Sequence, residues 1–152
     1  MEAVCQVADK TRTEIATFPS RHVGISIRCP PDRVYAFASN PENLPKWASG
    51  LANGVSRLSD GSWSASSPMG PLTIRFAPPN PFGIMDHDVT LPSGKTFYNP
   101  MRVFANGTGS EVVFTLYRLD GMTDAQFETD AATIKKDLEM LKRLLEMTMK
   151  KT

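Results

Sequence analysis

Cysteine is scarce in this 152-residue chain, with Cys5 and Cys29 as the only two and no C-x-x-C pair. So few thiols exclude a disulfide-stapled scaffold, and a reducing, cytoplasmic setting is expected. Charge of one sign is lacking as well. Seventeen Lys and Arg stand against sixteen Asp and Glu, a formal net charge of +1, which leaves no field to hold a polyanion, so nucleic-acid binding is not expected. No apolar run nears the ~20 residues that would insert into a membrane. The first twenty residues carry Glu2, Asp9, Lys10, Arg12 and Glu14 and lack the apolar stretch of a secretory leader. Nucleotide-binding glycine loops and the G-x-S-x-G nucleophile motif are also missing.

Breakers are missing from the C-terminal part. All twelve prolines lie at or before Pro100, and the last glycine is Gly121. The remainder reads as one long helix of about 25 residues, because Phe127, Ala131, Ile134, Leu138, Leu141 and Leu145 recur at alternating steps of four and three. Thr123 and Gln126 form the T-x-x-Q capping box, and Met122 with Phe127 forms the hydrophobic staple. Glu146 and Lys150 are spaced as an i,i+4 pair.

Upstream, turn signals dominate. Residues 1–20 are polar and aperiodic and read as a weakly ordered arm, followed by a single domain over 21–152. Val23, Ile25 and Ile27 alternate along a half-buried strand. Pro30-Pro31-Asp32 and Asn40-Pro41 each open a short helix. Beyond Gly50, turns separate six extended segments, about 51–58, 62–67, 72–77, 84–91, 95–104 and 110–119. Short connections demand antiparallel neighbours. The fold class is α+β: a seven-stranded curved antiparallel sheet wrapped around a long C-terminal helix, with two short helices after the first strand.

One helix about 10–12 Å wide cannot cover seven strands spaced near 4.8 Å. The uncovered concavity is either filled by bulky side chains or left as a pocket. Trp63, Leu72, Ile74, Phe76, Met101, Phe114 and Leu138 are the candidate lining, with Asn99 as a polar member that needs partners. Two arguments conflict over residues 84–91. A two- or four-residue turn at Ser93-Gly94 pairs Leu91 with Thr96 and turns Asp86 and Asp88 inward; a single bulge turns Met85, His87, Val89 and Leu91 inward instead. The second set is favoured, since burying two carboxylates on one strand is expensive. His87 and Asp86 are the candidate catalytic acid/base groups. They cannot share a metal ion, because adjacent strand residues point to opposite faces, and neither metal nor cofactor is expected.

The residues P-P-D-R-V-Y-A-F-A-S-N-P-E-N-L-P-K-W-A (30–48), N-P-F-G-I-M-D-H-D-V (80–89), P-M-R-V (100–103) and E-V-V-F-T-L (111–116) resemble the START-like, or polyketide cyclase (SRPBCC, helix-grip), superfamily, and within it an uncharacterised bacterial subgroup. The resemblance implies a cavity between sheet and C-terminal helix that holds a small hydrophobic or aromatic molecule. It also leaves open a cyclase/dehydratase-type enzyme using His87 or Asp86, with Asn99 holding an oxyanion, and a protein-interaction module. The chain is read as a monomer or homodimer. The stiff loop Pro78–Gly83 is the expected gate of the pocket.

Overall fold

The computed structural model describes residues 14–51 and 53–151; most of the expected N-terminal arm, Cys5 included, lies outside them. The described part of the arm, up to Pro19, is exposed and has no regular structure. It ends where the Arg118 amide donates to the Pro19 carbonyl (2.8 Å). Strand β1 (Ser20–Ile27) follows, then α1 (Pro31–Ala38), a 3₁₀ turn (Pro41–Asn43), α2 (Leu44–Trp47) and a second 3₁₀ turn (Ser49–Leu51). Pro31 opens α1 and Val34 and Ala38 bury its inner side. The Asn40 side chain caps the first 3₁₀ turn by accepting from the Glu42 amide (3.1 Å).

The strands then run β2 (Val55–Arg57), β3 (Trp63–Ser67), β4 (Gly70–Phe76), β5 (His87–Thr90), β6 (Thr96–Asn99), β7 (Met101–Asn106) and β8 (Gly109–Tyr117). The expected segment 95–104 is two strands. Pro100, which has no N–H to give to a ladder, stands between them. The described residues form eight strands in two antiparallel sheets, ordered β1-β8-β7 and β2-β3-β4-β5-β6, in place of one sheet of seven.

Besides the helical connection from β1 to β2, the chain passes between the sheets at Pro100 and around the residues just before β5. Residues before β5 still pair with the first sheet, through Met85 N–H to Met101 O (2.8 Å) and Val103 N–H to Gly83 O (3.0 Å), whereas His87 onward pairs with β4 and β6. Gly83 is at φ +71°, and a Cβ there would fall 2.1 Å from the Val103 carbonyl oxygen. Only glycine permits that approach.

Helix α3 (Asp124–Met149) lies over β1 and α2. Both halves of its capping box form, Gln126 N–H to Thr123 Oγ1 (3.1 Å) and Thr123 N–H to Gln126 Oε1 (2.9 Å). Met122 packs onto the Phe127 cluster as the staple requires. Glu146, expected to pair with Lys150, instead accepts from the Arg28 amide (3.0 Å) and pairs with Lys142 (3.0 Å), because the free N–H just past the end of β1 needs an acceptor.

The main core joins Leu138, Leu141 and Leu145 of α3 to Ile27, Val34, Leu44, Trp47, Ile74, Met85, Met101 and Val112. A smaller cluster of Leu116, Phe127 and Ala131 covers the start of the helix. No helix among the described residues is long and apolar enough to cross a membrane.

Leu141 is fully enclosed, whereas its neighbour Met140 is 38% exposed. Leu141→Ala is expected to lower unfolding free energy by about 2–5 kcal/mol. Met140→Ala should change it by less than about 0.5 kcal/mol. Urea unfolding of the two variants beside the parent checks this.

Candidate functional site

The connection between β5 and β6 decides which face of the sheet carries the chemistry. Leu91 N–H donates to Lys95 O and Gly94 N–H to Leu91 O (both 2.9 Å), leaving Pro92, Ser93 and Gly94 as a three-residue loop with Gly94 at φ +87°. The odd count shifts the pairing so that Thr90 faces Thr96 and His87 faces Asn99. On the other side, the Ala105–Ser110 pair forms as expected, with Val103 opposite Val112 and Met101 opposite Phe114. His87 therefore lies on the face of Phe114, inside, and Asp86 turns outward.

A cleft of about 760 Å³ opens between this sheet face and the first half of α3. Its floor is Val89, Leu91, Phe97 and Asn99 from β5, β6 and the turn between them, with Phe114 and Leu116 from β8. Its far wall is Gln126, Asp130, Thr133 and Ile134, and residues 119–122 run across one end. The expected gate, Pro78–Gly83, is elsewhere. Its Asn80 bonds Pro78, Phe82 and Ile84 internally, and the Asn80 amide donates to Tyr35 of α1 (3.0 Å).

Of the expected lining residues, Asn99 and Phe114 border the cleft. Ile74, Met85, Met101 and Leu138 are closed into the main core, with Trp63 and Phe76 half-buried against it; Leu72 is buried too. The hollow lies beside the middle of α3 and toward its N-terminus, because the large side chains of β4 and β7 fill the space under its second half. Val89, Leu91, Phe97 and Leu116 were missed as lining. The alternation His87-Val89-Leu91, together with a count of three turn residues, was the available signal.

His87 is crowded by aromatic rings: Phe76 stacks on it (centroids 4.9 Å apart) and Phe114 meets it edge-on (5.9 Å). Its Nδ1 lies 3.0 Å from the Met85 carbonyl oxygen. A carbonyl can only accept, so Nδ1 carries the proton and Nε2 presents a lone pair. Burial pushes the imidazole below its ordinary range, outweighing the Met85 bond and the charges of Asp86 and Asp88. Around the same residues a smaller depression of about 280 Å³ is bordered by Arg75, Asp86, Asp88 and Tyr98.

Asp86 is saturated. It accepts from the Met101 amide (2.9 Å), Tyr98 Oη (2.8 Å) and Arg102 (3.0 Å). Burial opposes its ionisation, but those bonds outweigh it and hold the carboxyl below the usual range. The carboxylate ties the start of β5 to β7 at the junction of the sheets and leaves no lone pair aimed at the cleft. Elsewhere, Cys29 is buried and its thiol pushed up by desolvation, the opposite of an activated nucleophile. At the start of α3, Arg21 pairs with Glu128 while lying 5.1 Å over the Phe127 ring, and Arg118 pairs with Asp124 (2.6 Å), which holds the wall of the cleft in place.

Two outcomes follow from these placements. Asp86→Ala strands the buried Met101 N–H and should lower stability by about 1–3 kcal/mol in denaturant unfolding. His87 is depressed in the folded state, so its contribution is present above its unfolded value near 6.5 and is lost as pH falls below it. Asp130 and Asp137, whose carboxyls are pushed up by burial, act in the opposite sense but equally in parent and variant. The parent should therefore lose more Tm than His87→Gln between pH 7.5 and pH 5, as read by scanning calorimetry.

A family model described as polyketide cyclase / dehydrase and lipid transport matches residues 20–146. No curated protein matches the chain. Among solved structures, DynU16, a protein of the dynemicin biosynthetic locus, aligns with TM-score 0.66 at 15% identity, covering 84% of this chain and 47% of DynU16. The chain thus spans about half the length of that relative. A protein from Bacillus thuringiensis aligns with TM-score 0.67 at 13% identity, over 84% of this chain and 98% of the other. The Aha1 dimer from Colwellia psychrerythraea gives 0.66 at 17%, over 84% and 96%. At such identities the likeness establishes a shared helix-grip fold. With the family match running from the first strand to the last turns of α3, the chain belongs to the polyketide cyclase/dehydrase and lipid transport family of START-like proteins.

Proposed function

We propose that this protein binds a small hydrophobic or aromatic molecule in the cleft between β5, β6, β8 and the first half of α3, and holds or carries it. The observation that carries this reading is the cleft itself. About 760 Å³ is within the range of small-molecule sites, and its apolar lining, Val89, Leu91, Phe97, Phe114, Leu116 and Ile134 among it, is rimmed by polar and charged groups such as Lys95, Asn99, Gln126 and Asp130. Left empty, such apolar surface would stay wetted at a cost of about 25 cal/mol per Å². A ligand that displaces that water gains the same amount. The family's description, which includes lipid transport, agrees with a carrier. Two widely separated cysteines agree with a reducing compartment such as the cytoplasm.

A second reading, an enzyme of the cyclase or dehydratase type, is favoured by one observation: His87 Nδ1 lies against the Met85 carbonyl, which leaves the lone pair of a base on Nε2, and burial disfavours the imidazolium. In that case Asp86 acts only through the fold, since its oxygens are taken.

An environment-sensitive naphthalene dye should bind saturably and be displaced by a fatty acid or a polycyclic aromatic. Ile134→Trp, which fills the cleft from the helix side, should weaken that binding at least tenfold while leaving the far-UV spectrum unchanged. Absence of saturable binding, or full binding by Ile134→Trp, would remove the carrier reading.

A further inference from the structure

Along the first half of α3 every acidic side chain but one is committed. Asp124 pairs with Arg118 (2.6 Å), Glu128 pairs with Arg21, and Asp137 accepts from the Ser49 amide (3.1 Å). Asp130 has no hydrogen-bond or ion-pair partner among the described residues. With Gln126, Thr133 and Ile134, spaced as one face of the helix, it walls the cleft. Partial burial there pushes its carboxyl above the usual range, with no bond to offset the cost. On the floor of the same cleft a cation already rests on a ring. Lys95, just before β6, holds its Nζ 5.1 Å from the centre of the Phe97 ring, and both residues border the cleft. The face of an aromatic ring is negative and attracts an ammonium.

We propose that the cleft selects a hydrophobic cation, an apolar molecule carrying a protonated amine, with Asp130 as its counter-ion and the aromatic floor as its apolar seat. This rests on the cleft being the ligand site. The charges bordering the cleft make the choice. Asp120 and Asp130 are its acids and Lys95 is its one base among the described residues, so the lining is net negative. An ammonium gives Asp130 the partner it lacks, and a charge-assisted hydrogen bond to a carboxylate is stronger than a neutral one. The floor accepts such a group, since the Phe97 ring already carries the Lys95 ammonium. Val89, Leu91, Phe114 and Leu116 cover the hydrocarbon part of the ligand. A carboxylate ligand would share the cleft with two unneutralised carboxylates and would have to draw Lys95 off its ring. A neutral ligand leaves Asp130 as it stands.

The test uses three probes on one ring system, 2-naphthylmethylamine, 2-naphthylmethanol and 2-naphthoate, which are cationic, neutral and anionic at pH 7.5, titrated into the full chain by calorimetry. The amine should bind about fivefold more tightly than the alcohol, the worth of one partly exposed charge pair beside a ring, and the naphthoate should be weakest. Asp130→Asn, which keeps the shape and removes the charge, should bring the amine-to-alcohol ratio close to one. Lys95→Met, which clears the ring of its own cation, should raise that ratio above the parent's. Equal binding of amine and alcohol by the parent, tightest binding of naphthoate, or an unchanged ratio in Asp130→Asn overturns the selection of a cation by Asp130 and leaves the cleft standing. If none of the three binds, the cleft reading falls and this inference with it.

Discussion

A 26-residue helix with one apolar stripe must have that stripe covered along its length, and the rest of this fold is organised by how unevenly that is done. Under the second half of α3, Leu138, Leu141 and Leu145 meet large side chains from α1, α2, β4 and β7 and the space is solid. Toward its start only Leu116, Phe127 and Ala131 form a small cluster, and Ile134 is left half-covered beside the cleft. Packing density in a core is near that of a crystal, so a hollow persists only where side chains from facing elements do not reach. Here they do not reach near the β8–α3 connection, and Arg21–Glu128 and Arg118–Asp124 hold that end of the helix in place without filling it.

The sheet is divided for a reason that is local and covalent. Pro100 cannot donate to a ladder, and the strand that would have run through it becomes β6 in one sheet and β7 in the other. The chain before β5 makes the reverse crossing, and at that junction Asp86 gathers the Met101 amide, Tyr98 and Arg102. An aspartate flanking a histidine looks like catalytic equipment in one dimension. In three it is a brace on the outer face, one residue out of phase with the imidazole it seems to accompany.

That phase is set by one residue of turn length. With two or four residues between Leu91 and its partner, the carboxylates would look inward; with the three present, His87 and Val89 do. The energetic argument, that two buried carboxylates on one strand cost too much, and the backbone geometry reach the same answer by different routes. The lining follows from it: Val89, Leu91, Phe97 and Asn99 border the cleft, and the His87 imidazole packs against Phe76 and Phe114.

The long helix, its capping box, the two proline-opened short helices and the order of the elements were legible in the residues themselves, because periodicity, caps and breakers act over a few positions of chain. The family was legible for the same reason, through packing motifs at residues 30–48 and 80–89. The lining of the cleft was not. Met101 and Phe114 face each other across one ladder and read alike in sequence, yet one is sealed in the core and the other borders the cleft. That difference depends on which helix residue stands opposite and how far its side chain reaches, a distance between elements remote in the chain that only the assembled structure decides.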